Sequence, residues 1–161
     1  MKPFIRKASV IWRGTHAHGK GAMTTPSAVL KKALYGLGRH INGPGTNPPE
    51  LIAAAHAGSF SITLAYELGA AGYTPNQIDT TATVTMEDIA PGWTMTQIHL
   101  DVVATVPEVA QCDFIDAALR AKGSCPISRA LNANISMRAK LRPQANGGAR
   151  VFNRANQGGK S

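Results

Sequence analysis

The chain has little cysteine, few aromatic residues, and no acidic residue before Glu50 or after Asp116. Two cysteines among 161 residues are too few to staple a secreted scaffold, so any cysteine chemistry is redox chemistry or incidental. No apolar run approaches the roughly 20 residues of a membrane span. The nearest, Leu51 to Leu64, is interrupted by His56, Ser59 and Ser61. The opening stretch MKPFIRKASVIWRG alternates instead of forming an apolar block with a cleavage site, which predicts no secretory signal and a cytoplasmic protein. The five histidines are scattered without ligand spacing, which predicts no metal site. A phosphate-cradling glycine loop is also missing.

The remaining composition is that of an ordinary globular protein, 43% hydrophobic and 16% charged. Its length predicts one domain with a real core. We place that domain at 1–142 and a basic, disordered tail at 143–161, where glycine and asparagine are frequent and only Val151 and Phe152 are apolar. The formal charge of +8 comes from 17 Lys and Arg against 9 Asp and Glu, and it is segregated. Basic groups fill residues 1–49 and 117–161, and every acid lies in 50–116. Alternating blocks predict that the ends meet the middle, within one chain or across a dimer. The tail carries one aromatic and no binding motif, so no specific nucleic-acid partner is expected.

Hydrophobic periodicity predicts an α+β domain. A strand runs from Phe4 to Trp12, and two short strands fall within residues 21–40. The loop Asn42–Asn47 then delivers a long helix. Asn47 is a natural N-cap, Pro48 suits the first helical position, and Glu50 completes a capping-box spacing. The helix continues to about Leu68 and stops at Gly69 or Gly72. It is apolar almost all round, which predicts a central helix buried on every side. At about 100° per residue, His56, Ser59, Thr63 and Glu67 form one polar stripe that must find partners or line a site.

Period-two alternation from Ile78 to Met86, the turn Pro91-Gly92, and a second run from Trp93 to Val106 predict a hairpin. Asp113 is expected to cap a short helix with Phe114, Ile115, Ala118 and Leu119 inward, stopped by Gly123. Cys125-Pro126 opens another helix to about Leu131, and Ile135 to Leu141 reads as a last strand. A helix apolar on all sides needs more cover than one small sheet supplies, which predicts dimerisation.

Several residues could carry chemistry. Cys125 sits at a helix N-cap, where the dipole and free amides favour thiolate; the alternative is a small buried apolar residue. Cys112 beside Asp113 reads as incidental. Arg39 and Glu50 flank the loop into the long helix, as an ion pair holding a guanidinium or as a plain loop anchor. His56 is either a satisfied buried histidine or a base. Ser59 lies one turn beyond it, but without a G-x-S-x-G elbow or a third group a serine hydrolase is not supported.

The segments GTNPPELIAAAHAGSFS (45–61), YTPNQIDTTATVTM (73–86) and KGSCPIS (122–128) resemble the OsmC/Ohr family of organic hydroperoxide peroxidases, the OsmC branch in particular, over about residues 8–141. The resemblance implies an OsmC-like α+β fold: an intertwined homodimer with long buried central helices wrapped by sheets from both chains. It implies a peroxidatic cysteine that attacks the hydroperoxide O–O bond in oxidative stress defence. A resolving cysteine then closes a disulfide, reduced by a lipoyl-type dithiol on a partner protein, with no bound cofactor or metal and no membrane partner. By resemblance Cys125 is the resolving cysteine, Arg39 stabilises the thiolate, and Glu50 orients Arg39.

The family pattern AAHA-x-CFS reads AAHAGSFS here, with Ser59 at the peroxidatic position. A hydroxyl cannot enter the sulfenic–disulfide cycle, so little or no turnover is expected. Ser59 is then either an introduced change that traps the reduced form or the mark of a homologue that lost the step. In the second case the chain would be a non-catalytic binding protein for hydrophobic peroxides or lipids.

Overall fold

A computed structural model of the chain describes residues 3–37 and 45–143. Within them the order is β1 (Ser9–Arg13), β2 (Lys20–Thr24), β3 (Ala33–Tyr35), α1 (Pro48–Ala70), β4 (Gln77–Ile89), β5 (Gly92–Thr105), α2 (Gln111–Ser124), α3 (Pro126–Ala130) and β6 (Asn134–Leu141). This is the α+β order expected from periodicity. Arg39, residues 42–44 of the expected loop, and the expected tail beyond residue 143 lie outside the described residues.

The ends of α1 follow from local chemistry. Asn47 adopts extended backbone and its Oδ1 accepts the Glu50 amide proton at 2.9 Å. Pro48 occupies the first turn, where its missing N–H removes no intrahelical bond. At the other end Gly72 turns left-handed with φ of +86°. The Tyr73 amide then reaches Leu68 O at 2.9 Å and the Gly72 amide reaches Gly69 O at 3.0 Å, a paired closure that a glycine at this position allows without strain.

The hairpin forms as its alternation dictates. β4 and β5 pair antiparallel from Gln77↔Thr105 to Ile89↔Gly92, with a register shift between Thr85 and Met86. Ile98, Leu100, Val102 and Ala104 of β5 are buried, while the intervening residues face outward. β6 then joins β5 in parallel, Ile98 opposite Ile135 and Leu100 opposite Met137. Parallel pairing needs a crossover, which α2 and α3 supply.

α1 packs on this sheet and on α2. Phe60, Leu64 and Leu68 of α1 meet Leu100, Val102 and Ala104 of β5 and Phe114, Ala117, Ala118 and Ala121 of α2 in one core, which also takes in Cys125. Two details of α2 differ from expectation. Its N-cap is Ala110, and Asp113 lies in the first turn, where its carboxylate accepts the Tyr73 hydroxyl proton at 2.8 Å. Leu119 points outward, because it lies about 140° round the helix from Phe114.

The expected burial of α1 on every side is not supplied by one chain. Only the stripe His56, Phe60, Leu64 and Leu68 is buried, whereas Ile62 is 75% and Tyr66 73% exposed. The first sheet, an antiparallel meander in the order β1-β2-β3, also leaves Val10, Ile11 and Leu34 exposed. It is tied to the start of α1 through Thr46, whose amide donates to Leu34 O at 2.9 Å and whose carbonyl accepts from the Gly36 amide at 3.1 Å.

The charge segregation resolves within the chain for the third block. Arg120 pairs with Glu67 at 3.1 Å, Arg138 with Asp101 at 2.6 Å, and Arg142 with Asp79. Each joins a basic residue after position 116 to an acid in the middle block. No helix among the described residues is long and apolar enough to cross a membrane.

Candidate active site

Three of the four residues in the polar stripe of α1, His56, Ser59 and Glu67, find side-chain partners on α2, on α3 or at the residue that joins them. Glu67 accepts from Arg120 Nε at 3.1 Å and from the Ser124 hydroxyl at 3.2 Å. Thr63 turns inward to its own helix and donates to Ser59 O at 2.8 Å. Ser59 Oγ accepts the Cys125 thiol proton at 3.3 Å. His56, fully buried, places Nε2 2.8 Å from the Ser128 hydroxyl. A polar stripe on an otherwise apolar helix is thus accounted for by a seam against the α2–α3 junction.

Cys125 stands at the middle of that seam. It ends α2 and serves as N-cap of α3, with Pro126 following as the sequence predicts. The residue is entirely buried and part of the core. Burial pushes its thiol up, but the Ser59 hydroxyl, the Ser128 amide and hydroxyl, and the Ile127 amide outweigh burial and bring it below the ordinary thiol range. These two amides favour the anion without closing a formal cap hydrogen bond. When the thiol ionises, the Ser59 hydroxyl reverses its role and donates to the sulfur. The sequence had left Cys125 open between a working thiol and an inert apolar residue; it is buried, but among donors.

His56 is not placed as a base for Ser59. Its ring is committed to Ser128, burial lowers its pKa and keeps it neutral, and Nδ1 is buried with no hydrogen-bond partner among the described residues. Ser128 enters the sequence reading only as the last residue of the KGSCPIS segment, with no role of its own. Its signal was the match of two spacings: His56 and Ser59 three apart on α1, Cys125 and Ser128 three apart at the start of α3.

Glu50 is not brought to this pair. Nine residues separate it from Ser59, about 13 Å along the helix axis. Its carboxylate accepts from the Thr46 hydroxyl at 2.8 Å and from the Asn47 side-chain amide at 3.4 Å, so within the described residues it works as a helix-start anchor. Arg39, its expected partner, lies outside the described residues. Beside Glu50 opens a cleft of ≈ 580 Å³ with an apolar lining that includes Leu30, Ala33, Leu34, Leu51 and Ala54. Cys112 is exposed on α2, its thiol 3.7 Å from an Asp113 carboxylate oxygen.

With this geometry in hand, comparison with known proteins is informative. The OsmC-like protein family profile matches residues 41–140. Peroxiredoxin OsmC of Escherichia coli (strain K12) is 40% identical over 138 residues, covering 85% of this chain and 96% of that protein. Among solved structures, the organic hydroperoxide resistance protein OhrB of Bacillus subtilis superposes with a TM-score of 0.65 at 21% identity, covering 83% of this chain and 98% of the other. An OsmC-like protein of unknown function from Vibrio cholerae gives a TM-score of 0.71 at 12% identity, covering 86% and 100%. The last two establish the fold. The family profile, which spans more than half the chain, and the 40% identity to a full-length relative establish more: the chain belongs to the OsmC-like family.

Proposed function

We propose that this chain is a peroxiredoxin-type protein whose Ser59 occupies the position of the peroxidatic thiol and whose Cys125 keeps the position of the resolving thiol. The observation that carries this is the direct contact of the two side chains, Cys125 Sγ to Ser59 Oγ at 3.3 Å. Two thiols so placed need only a small approach to reach the S–S length of about 2.05 Å. In this chain one partner is a hydroxyl, which cannot form a sulfenic acid or a disulfide, so the two-cysteine peroxide cycle does not run.

Restoring the thiol restores the cycle. The thiolate at position 59 attacks an organic hydroperoxide, the S–O bond forms, the O–O bond breaks, and the alcohol leaves. Cys125 then displaces water from the sulfenic acid to close the disulfide. A lipoyl-type dithiol supplies two electrons and two protons to reopen it. The test compares the Ser59 chain with Ser59→Cys for consumption of cumene hydroperoxide with a lipoyl dithiol as reductant. Turnover by Ser59→Cys and none by the Ser59 chain supports the proposal, and turnover by neither overturns it.

The working unit is a homodimer on this reading. Ile62 and Tyr66 on the outer face of α1, together with the exposed apolar residues of the first sheet, form the kind of surface that a second copy covers. A second reading, a non-catalytic binder of hydrophobic peroxides or lipids, is favoured by the apolar cleft beside Leu51 and Ala54. Calorimetric titration of the Ser59 chain with cumene hydroperoxide and with a fatty acid separates it from the first: saturable binding together with an inactive Ser59→Cys supports the binder.

A further inference from the structure

The contacts between α1 and the start of α3 form a two-rung ladder. His56 and Ser59 stand three residues apart on α1, and Cys125 and Ser128 stand three residues apart at the N-terminus of α3. The rungs are Ser59–Cys125 at 3.3 Å and His56–Ser128 at 2.8 Å. The Ser128 hydroxyl, 2.8 Å from the imidazole, also lies within hydrogen-bonding reach of the Cys125 sulfur.

His56 is costly to bury. It is fully enclosed, and its Nδ1 has no hydrogen-bond partner among the described residues. Among the described residues its one polar contact is Ser128. Of the two neutral tautomers, one leaves an unpaired N–H in the core and the other leaves a bare lone pair. Orphaned buried donors are the rarer of the two, which selects the tautomer with the proton on Nε2. Nε2–H then donates to Ser128 Oγ, and the serine proton is left free to turn toward the sulfur.

We propose that His56 and Ser128 are positioning residues for Cys125: the imidazole holds the Ser128 hydroxyl as acceptor, so that this hydroxyl donates to the Cys125 sulfur and, with Ser59, makes Cys125 the poised nucleophile of this chain. His56 does not take the thiol proton, which leaves to solvent. The inference deepens the reading of Cys125 as a working thiol, but it does not depend on peroxide turnover, because the thiol itself is present in this chain.

The charged groups on the surrounding elements do not replace this ladder. Glu67 of α1 is engaged by Arg120 and Ser124. Lys122 lies in the last turn of α2 and Arg129 in the last turn of α3, while Asp113 and Asp116 lie toward the opposite end of α2. Asp101 of β5 and Arg138 of β6 pair with each other at 2.6 Å, away from the inward-facing Leu100, Val102 and Met137.

The test is the ultraviolet absorbance of the thiolate, followed against pH, in full-length chain carrying Cys112→Ser so that Cys125 is the only thiol. This readout needs no reagent to reach the buried sulfur. Ser128→Ala and His56→Phe are each expected to move the titration midpoint upward. The double variant is expected to move it no further than Ser128→Ala alone, because both act through one hydroxyl. Ser128→Thr, which keeps the hydroxyl, is expected to restore the parent midpoint. A midpoint unchanged in Ser128→Ala overturns the proposal, as does a His56→Phe shift that adds in full to that of Ser128→Ala. Ser128→Ala removes one oxygen from a half-buried residue, so the test stands even where His56→Phe fails to fold. A shifted midpoint with an inactive Ser59→Cys separates this inference from the proposed peroxidase lineage.

Discussion

Substitutions on the two faces of α1 separate what one chain stabilises from what a second copy stabilises. Leu64 is fully buried in the core with Phe60, Leu68 and Leu100, so Leu64→Ala is expected to cost about 3 kcal/mol, within the usual range of about 2–5 for a core leucine. Ile62 is 75% exposed, and in an isolated chain Ile62→Ala belongs with surface changes of about 0.5 kcal/mol or less. A face-to-face dimer changes the second figure. Ile62→Ala removes three carbon atoms, so once the face is covered each chain loses about 2.4 kcal/mol at about 0.8 kcal/mol per carbon. Both chains together lose about 5 kcal/mol, which is more than a thousandfold in the dissociation constant. Sedimentation equilibrium over a dilution series, with thermal melts at matched concentrations, measures both terms. Ile62→Ala is expected to weaken the dimer and make the melt more concentration-dependent, whereas Leu64→Ala lowers the melt at every concentration. If Ile62→Ala sediments and melts as the parent does, the outer face of α1 is not a dimer contact.

Other perturbations follow from single residues. Burial lowers the His56 pKa below its ordinary value near 6.5, so the unfolded chain binds the extra proton first and stability falls as pH drops below about 6.5 toward the folded value; His56→Phe is expected to flatten that slope in denaturant melts taken across pH. Asn47→Ala removes the acceptor of the Glu50 amide and is expected to cost about 1 kcal/mol in chemical denaturation. Gly21 lies under the Tyr35 ring, where an added Cβ would overlap ring carbons, so Gly21→Ala should destabilise by about 1–3 kcal/mol and disturb the Trp12–Tyr35 contact, a change that near-ultraviolet circular dichroism would read out.

The sequence made legible what is encoded locally. The Asn47–Pro48–Glu50 start of α1, its closure at Gly72, and the period-two hairpin from Gln77 to Thr105 are each set by residues within a turn or two of one another. What was not legible depends on long-range pairing. The parallel register of β5 with β6, and the meeting of His56 with Ser128 across 72 positions, have no local signature. Asp113 read as a cap because aspartate favours N-caps, yet its carboxylate is taken by Tyr73 across 40 positions. The apolar circumference of α1 was read correctly as composition, but a single chain covers only the stripe from His56 to Leu68. At the candidate site, the pairing of Ser59 with Cys125 came from resemblance and the fold places them in contact, while Glu50 is drawn instead to Thr46 and Asn47.

The most direct test of the central claim uses Ser59→Cys treated with one equivalent of an organic hydroperoxide and then digested for mass spectrometry without reduction. The contact at 3.3 Å predicts a disulfide between the introduced thiol and Cys125, formed within one chain and reopened by a lipoyl dithiol. An introduced thiol that remains reduced, or that couples to Cys112, would contradict the account.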